Sequence, residues 1–103
     1  MSGSGFVAVL VIDLHFPEAE SLKSKRKELS SIKAQLQRRL GVAVSETGYQ
    51  DLWQRATLTA ALTGGSLRRL AAAADEVERW ILARCPEGAR VERLVASVED
   101  LRG

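Results

Sequence analysis

The spacing of apolar and polar positions along this chain predicts four strands and two helices. The first strand, residues 6–16, is apolar at every second position, and its other face stays apolar until Asp13 and His15. The apolar residues of that other face are Val7, Val9 and Val11. A strand that is apolar on both faces is typical of the centre of a sheet.

Two segments repeat apolar residues at the helical period, and each has start and stop signals. Ser21 is the predicted N-cap of the first helix and Gly41 its C-terminal stop. Ser66 caps the second helix, which ends before Pro86. The buried stripes are Leu22, Leu29, Ile32, Leu36 and Leu40 in the first helix, and Leu67, Leu70, Ala74, Val77 and Ile81 in the second.

Alternating patterns predict the other strands at Val42–Thr47, Trp53–Thr63 and Ala89–Glu99. The resulting order, βαββαβ, predicts an α+β ferredoxin-like sandwich, in which a four-stranded antiparallel sheet carries both helices on one face. We expect one domain over residues 6–103, preceded by a flexible N-terminus over residues 1–5. The uncovered sheet face would expose its central valines, which predicts a homo-oligomer, a dimer, through the sheet face or edge.

The composition excludes several classes of function. A single cysteine, Cys85, and a single histidine exclude an intramolecular disulfide and a Cys/His zinc site. Asp13 and His15 share a strand face, but no nucleophile or metal partner lies at a recognisable spacing. No segment is long enough to span a membrane. We therefore expect a non-enzymatic cytoplasmic protein with no catalytic, cofactor or metal site and no membrane partner.

Positive charge is concentrated in the first helix. Residues 21–40 carry seven basic residues and one acid, a net charge of +6, whereas the whole chain carries only +2. Such asymmetry is typical of a surface for an anionic partner such as RNA. The candidate residues are Lys23, Arg26, Lys27, Lys33, Arg38 and Arg39. Lys25 projects toward the buried side, where we expect its stem to pack and its head to reach water. The alternative is a solvated helix with no partner.

The segment "YQDLWQR", residues 49–55, is a second candidate. Tyr49 and Arg55 have the chemistry to contact or stack on a nucleotide base, and Trp53 is predicted to be a core or interface anchor. The alternative is a hairpin turn specified by a packed tryptophan. The third strand, "RATLTAALT", lacks the aromatic residues with which RRM domains stack bases.

Three segments together resemble the YlxP-like bacterial family of unknown function. They are "SLKSKR" at residues 21–26, "VAVSE" at 42–46 and "DLWQRA" at 51–56, and the similarity extends over nearly the whole chain. The resemblance implies a ferredoxin-like fold in a small cytosolic protein whose genes often neighbour those of translation and transcription factors. That context implies association with RNA or the ribosome, and no catalytic residues carry over.

Three hypotheses about function follow. The first is a non-enzymatic protein that associates with RNA or the ribosome through the basic helix and the 49–55 segment. The second is a protein-interaction or oligomerisation module that uses the open sheet face and edges. The third is a regulatory domain that senses a small molecule at a dimer edge.

Overall fold

A computed structural model describes residues 5–103, which form the predicted βαββαβ order followed by one short additional helix. The strands are β1 (Phe6–His15), β2 (Ala43–Gly48), β3 (Arg55–Gly64) and β4 (Ala89–Ser97). The helices are α1 (Leu22–Leu40), α2 (Leu67–Arg84) and α3 (Val98–Arg102). Of the predicted flexible N-terminus, residues 1–4 lie outside this described part. Gly5 lies inside it, and its carbonyl oxygen accepts a hydrogen bond from Val98 N at 2.8 Å.

The four strands form one antiparallel sheet in the order β2-β3-β1-β4, which confirms the ferredoxin-like fold. β1 and β3 are the two central strands, and for β1 the apolarity of both faces predicted this position. The core lies between the sheet and the two long helices. Its strand residues include Ala8, Leu10, Ile12 and Leu14, and its helix residues include Leu29, Ile32, Leu36, Leu70, Ala74, Val77 and Ile81.

Local capping fixes the ends of the helices where the sequence predicted them. Ser21 Oγ accepts a hydrogen bond from Ser24 N at 3.1 Å, and Ser24 Oγ accepts one from Ser21 N at 3.3 Å. Gly41 ends α1 with a φ of 66°, a left-handed conformation that glycine adopts without steric cost. Ser66 Oγ accepts from Arg69 N at 3.2 Å at the start of α2.

Two predicted boundaries are wrong by two residues, and the other strand ends that differ, in β1, β2 and β3, are displaced by one residue. β3 begins at Arg55 and not at Trp53, because residues 49–54 form the turn that precedes it. The last strand ends at Ser97, where α3 begins. Ser97 Oγ accepts from Asp100 N, and Asp100 Oδ2 accepts from Ser97 N, both at 2.9 Å. These bonds stop the strand by starting a helix, and they lower the pKa of Asp100 below its ordinary value.

The face of the sheet opposite α1 and α2 is apolar in its middle. Val7, Val9 and Val11 lie on it half-buried, and Leu94 of β4, in register with Val9, is 51% exposed. The predicted far-face apolar row therefore exists, although its valines are partly covered by their neighbours. We call this surface the open face. Within residues 5–103, no helix combines the length and hydrophobicity needed to cross a membrane.

Candidate nucleic-acid interface

The basic residues of α1 are largely free of compensating charge. Lys23, Arg26, Lys27, Arg38 and Arg39 are exposed and Lys33 is half-buried. Within the described residues 5–103, none of these six forms an ion pair. The only acid of α1, Glu28, binds Arg84 of α2, with 3.2 Å between Arg84 Nη1 and Glu28 Oε1. No ion pair within the described residues therefore compensates the charge of these six residues.

These six residues do not form one patch. Each residue of an α-helix turns the chain by about 100° and advances it by about 1.5 Å. Lys23, Lys27 and Arg38 consequently fall within about 60° of one another, but Lys23 and Arg38 are roughly 22 Å apart along the axis. Arg26 and Lys33 lie to one side of that line, and Arg39 lies on the other. A partner that contacts the whole line must be extended.

Lys25 joins α1 to the turn between β2 and β3. Its side chain is only 1% exposed, and its Nζ donates hydrogen bonds to the carbonyl oxygens of Tyr49 at 2.6 Å and Leu52 at 2.5 Å. Nζ also lies 3.5 Å from Glu46 Oε2. The prediction that the Lys25 head reaches water is therefore wrong. Two carbonyls and a carboxylate take the place of water around Nζ. A buried ammonium group requires such partners.

The turn that Lys25 holds exposes three large side chains. Tyr49, Leu52 and Trp53 are 42%, 48% and 45% exposed. Trp53 is thus not a core anchor, and the other predicted role, an interface anchor, stays a prediction. Tyr49 has a φ of 58°, an uncommon conformation for a bulky residue that surrounding contacts must hold in place. The Lys25 bond to the Tyr49 carbonyl is one such contact.

Arg55 lies on the open face at the start of β3. Its guanidinium carbon is 4.0 Å from the centroid of the Tyr49 ring, a cation–π geometry. In the β1–β3 register Arg55 pairs with His15. The predicted pair Tyr49 and Arg55 is therefore a packed unit that borders the open face.

The structure brings together part of the predicted site and separates the rest. The start of α1, with Lys23, Arg26 and Lys27, lies at the same end of the sheet as the 49–55 turn, because Lys25 binds that turn. Arg38 and Arg39 lie at the opposite end of α1. Sequence reasoning missed Lys25 as the joint. A lysine on the buried side of a helix was the available signal.

Two other candidate residues, Asp13 and Cys85, lie outside the basic helix and the 49–55 turn. Asp13 Oδ1 accepts a hydrogen bond from Thr57 Oγ1 at 2.7 Å, and within residues 5–103 it makes no ion pair with His15. Cys85 is the C-cap of α2 and is half-buried. Burial raises the pKa of the Cys85 thiol above its ordinary value, an effect that neighbouring Arg84 partly opposes.

The fold defines the class of protein as a small ferredoxin-like α+β domain. A family model described as "Protein of unknown function (DUF503)" matches residues 7–98, and the chain belongs to that family. The uncharacterised protein YlxP of Bacillus subtilis (strain 168) is 39% identical over 74 residues, which cover 62% of this chain and 80% of that protein. This agrees with the resemblance in the sequence motifs.

A solved structure supports the same architecture. The de novo designed protein Foldit4 superposes with a TM-score of 0.58, covering 89% of this chain and 96% of that one. The two sequences are only 12% identical, so the likeness concerns the fold alone.

Proposed function

We propose that this protein binds RNA without catalysing a reaction, and that its binding surface combines the start of α1 with the 49–53 turn. The observation that carries the proposal is the Lys25 joint. It fixes the turn that carries two exposed aromatic rings, Tyr49 and Trp53, to the start of α1. The cations Lys23 and Lys27 of that same helix end form no ion pair among the described residues and point to the other, solvent-facing side of the helix. Cations neutralise phosphates, and exposed rings stack on unpaired bases.

The arrangement favours RNA with unpaired bases over a regular duplex. The bases of an A-form helix are stacked on one another, so aromatic side chains reach bases mainly in loops, bulges and single strands. The line from Lys23 through Lys27 to Arg38 suits an extended phosphate chain. A ribonucleoprotein such as the ribosome presents many such loops, which agrees with the gene context that the family resemblance implies.

The experiment is a fluorescence-anisotropy titration of a hairpin RNA with a single-stranded loop, at several salt concentrations. Three phosphate contacts predict that log K falls with log[salt] with a slope of about −2. The triple variant Lys23→Glu, Lys27→Glu, Arg38→Glu should abolish binding. The matched control makes the same change of charge on α2, at the exposed residues Arg68, Arg69 and Arg79, and should bind nearly as well as the parent chain.

Two results would contradict the proposal. One is undetectable binding at low salt. The other is an equal loss of affinity in the α1 variant and the α2 control, because that result would mean non-specific attraction to net charge. A titration with a DNA hairpin of the same sequence tests whether the 2′-hydroxyl contributes.

A second candidate function is self-association through the open face. The half-exposed valines of β1 and the 51% exposed Leu94 give that face an apolar centre. Four strands over eight residues cover roughly 500 Å² per copy, from about 4.8 Å between strands and 3.3 Å per residue. Two copies would bury about 1,000 Å², the lower limit for a specific interface. We therefore propose a weak dimer as the alternative role of this face.

A further inference from the structure

The open face ends in a polar cleft that the proposed RNA surface does not use, apart from the border residue Arg55. Its volume is about 360 Å³. The residues that line it are Asp13, His15, Arg55, Gly88, Ala89 and Arg90. It lies at the end of β1, where three neighbouring strands and the turn before β4 meet.

Strand register sets the chemistry of this cleft. Successive residues of a strand point to opposite faces, so Asp13 and His15 share the open face. Their partners across the ladders are Arg55, opposite His15 on β3, and Arg90, opposite Asp13 on β4. Two guanidinium groups and an imidazole therefore stand around one open volume. His15, Arg55 and Arg90 lie 35 or more positions apart in the chain, so no local sequence motif predicts this grouping.

A close backbone contact shapes the cleft. His15 N donates a hydrogen bond to Gly88 O at 2.8 Å, which draws the turn before β4 against the end of β1. A Cβ atom at position 88 would lie 2.5 Å from the Cβ of His15, a distance that real Cβ atoms essentially never show. Glycine at this position thus permits the approach that forms the wall of the cleft.

The lining of the cleft holds two guanidinium groups and one carboxylate, that of Asp13. Within residues 5–103, neither Arg55 nor Arg90 forms an ion pair, and Asp13 accepts a hydrogen bond from Thr57. Arg55 Nε is buried and has no hydrogen-bond partner among the described residues. Because Nε is shielded from solvent, it does not itself face the cleft, and Arg55 contributes to the lining through other atoms.

We propose that this cleft binds the phosphate group of a small phosphomonoester. A phosphate monoester carries a charge of about −1.5 to −2 near pH 7, which the two guanidinium groups attract against the repulsion of the single Asp13 carboxylate. The planar fork of arginine also fits a pair of phosphate oxygens. Asp13 offers an acceptor for a hydroxyl or amino group of the same ligand. The volume is within the range of small-molecule sites.

The test is a ¹H–¹⁵N NMR titration with inorganic phosphate, then with adenosine 5′-monophosphate and adenosine. We expect chemical-shift changes at the amides of His15, Gly88, Ala89 and Arg90. Adenosine 5′-monophosphate should bind more tightly than inorganic phosphate, and adenosine should not bind. Arg90→Gln should weaken phosphate binding about tenfold, the loss of one charge-assisted bond. Asp13→Asn should strengthen it, because a repelling charge is removed while the acceptor for Thr57 remains. Arg79→Gln is the matched control and should change nothing.

Several outcomes would overturn the proposal. The first is the absence of shifts at 20 mM phosphate, a concentration roughly twentyfold above a 1 mM dissociation constant. The second is a set of shifts spread equally over the arginines of both helices. The third is an Arg90→Gln variant that binds phosphate as tightly as the parent chain. An RNA carrying a 5′-phosphate, compared with the same RNA ending in a hydroxyl, distinguishes a nucleic-acid terminus from a free phosphomonoester. The two functional proposals fail separately, because Arg90→Gln should leave hairpin RNA binding intact and the α1 variant should leave phosphate binding intact.

Discussion

Lys25 Nζ lies 2.6 Å from the carbonyl oxygen of Tyr49, 24 residues further along the chain, and this bond fixes the β2–β3 turn to α1. The variant Lys25→Met removes the donor and leaves the carbonyls of Tyr49 and Leu52 without it. We expect the free energy of unfolding to fall by about 1–3 kcal/mol, as for other buried groups that lose a partner.

Urea denaturation measures that loss, and hydrogen exchange at the Leu52 amide, which donates to Tyr49 O, measures the loosening of the turn. Lys27→Met is the control, since Lys27 is exposed and its replacement should change stability by no more than about 0.5 kcal/mol. Equal stability of the two variants would show that the Lys25 bonds contribute nothing net.

Trp53 is expected to matter for binding and not for folding. The side chain is 45% exposed, so Trp53→Ala should change the free energy of unfolding by only about 0.5 kcal/mol. If Trp53 stacks on a base, the same variant should lose about 1–3 kcal/mol of RNA binding, roughly 5- to 150-fold in affinity. Trp80, half-buried against the core, provides the opposite pattern: Trp80→Ala should lose stability and keep RNA affinity once folded. Unchanged RNA affinity in Trp53→Ala would remove the turn from the binding surface.

Gly88→Ala should destabilise the protein because the new methyl group meets the Cβ of His15. Forcing that contact apart costs about 1–3 kcal/mol, the usual range for an overpacked site. Gly65→Ala is the matched control, because a Cβ at position 65 meets no atom within 4 Å. Thermal unfolding of the two variants gives the comparison, and the double variant His15→Gly, Gly88→Ala should recover much of the loss. A stable Gly88→Ala protein would mean that the turn before β4 moves freely away from β1.

Cys85 makes stability depend on pH on the alkaline side. Burial raises the pKa of the folded thiol above that of the unfolded chain, so the folded state favours the neutral form. Its contribution is therefore complete below the unfolded pKa and is lost as the pH rises through the higher folded pKa. Urea unfolding of the parent chain and of Cys85→Ala, measured from pH 8 to above pH 10, should converge as the pH rises. A difference that stays constant over that range would show that the thiol titrates alike in both states.

The open face predicts a weak, concentration-dependent dimer. An interface of about 1,000 Å² is at the lower limit of specificity, so dissociation in the micromolar range or above is expected. Light scattering over a concentration series tests this, and Leu94→Glu should yield a monomer by placing a charge on the apolar centre of the face. Glu99→Lys, on exposed α3, is a control that should leave the association unchanged. A parent chain that stays monomeric at the highest concentrations would leave the open face without this role.

Local signals predicted the parts of the fold that local forces determine. Ser21 and Gly41 bound α1 as expected because an N-cap and a left-handed stop act within one helical turn. The short helix α3 was missed although its signal, serine at 97 and aspartate at 100, was present. The preceding apolar alternation favoured a longer strand, and the capping bonds outweighed it.

The sequence patterns did not predict the contacts between segments that are distant in the chain. Helical projection turned Lys25 toward the core, but its acceptors are backbone carbonyls of a turn, which carry no residue-specific signature. Trp53 was predicted to be a core or interface anchor. The core alternative is wrong because a tryptophan within a turn has no strand to bury it. The cleft around His15 depends on the register of three strands, which alternation alone does not supply.

The position of β1 also governs how the chain acquires its structure. β1 pairs with β4 from Phe6↔Ser97 onward, so its central ladder joins the two extremes of the domain. During synthesis, β1 emerges first and one of its two neighbours emerges last. Until then the backbone N–H and C=O groups on that edge of β1 have no partner strand. Loop closure over most of the chain must precede the final pairing. This strand order has a kinetic consequence. Folding is completed only after β4 is released, on the slower timescale of domains rich in non-local contacts.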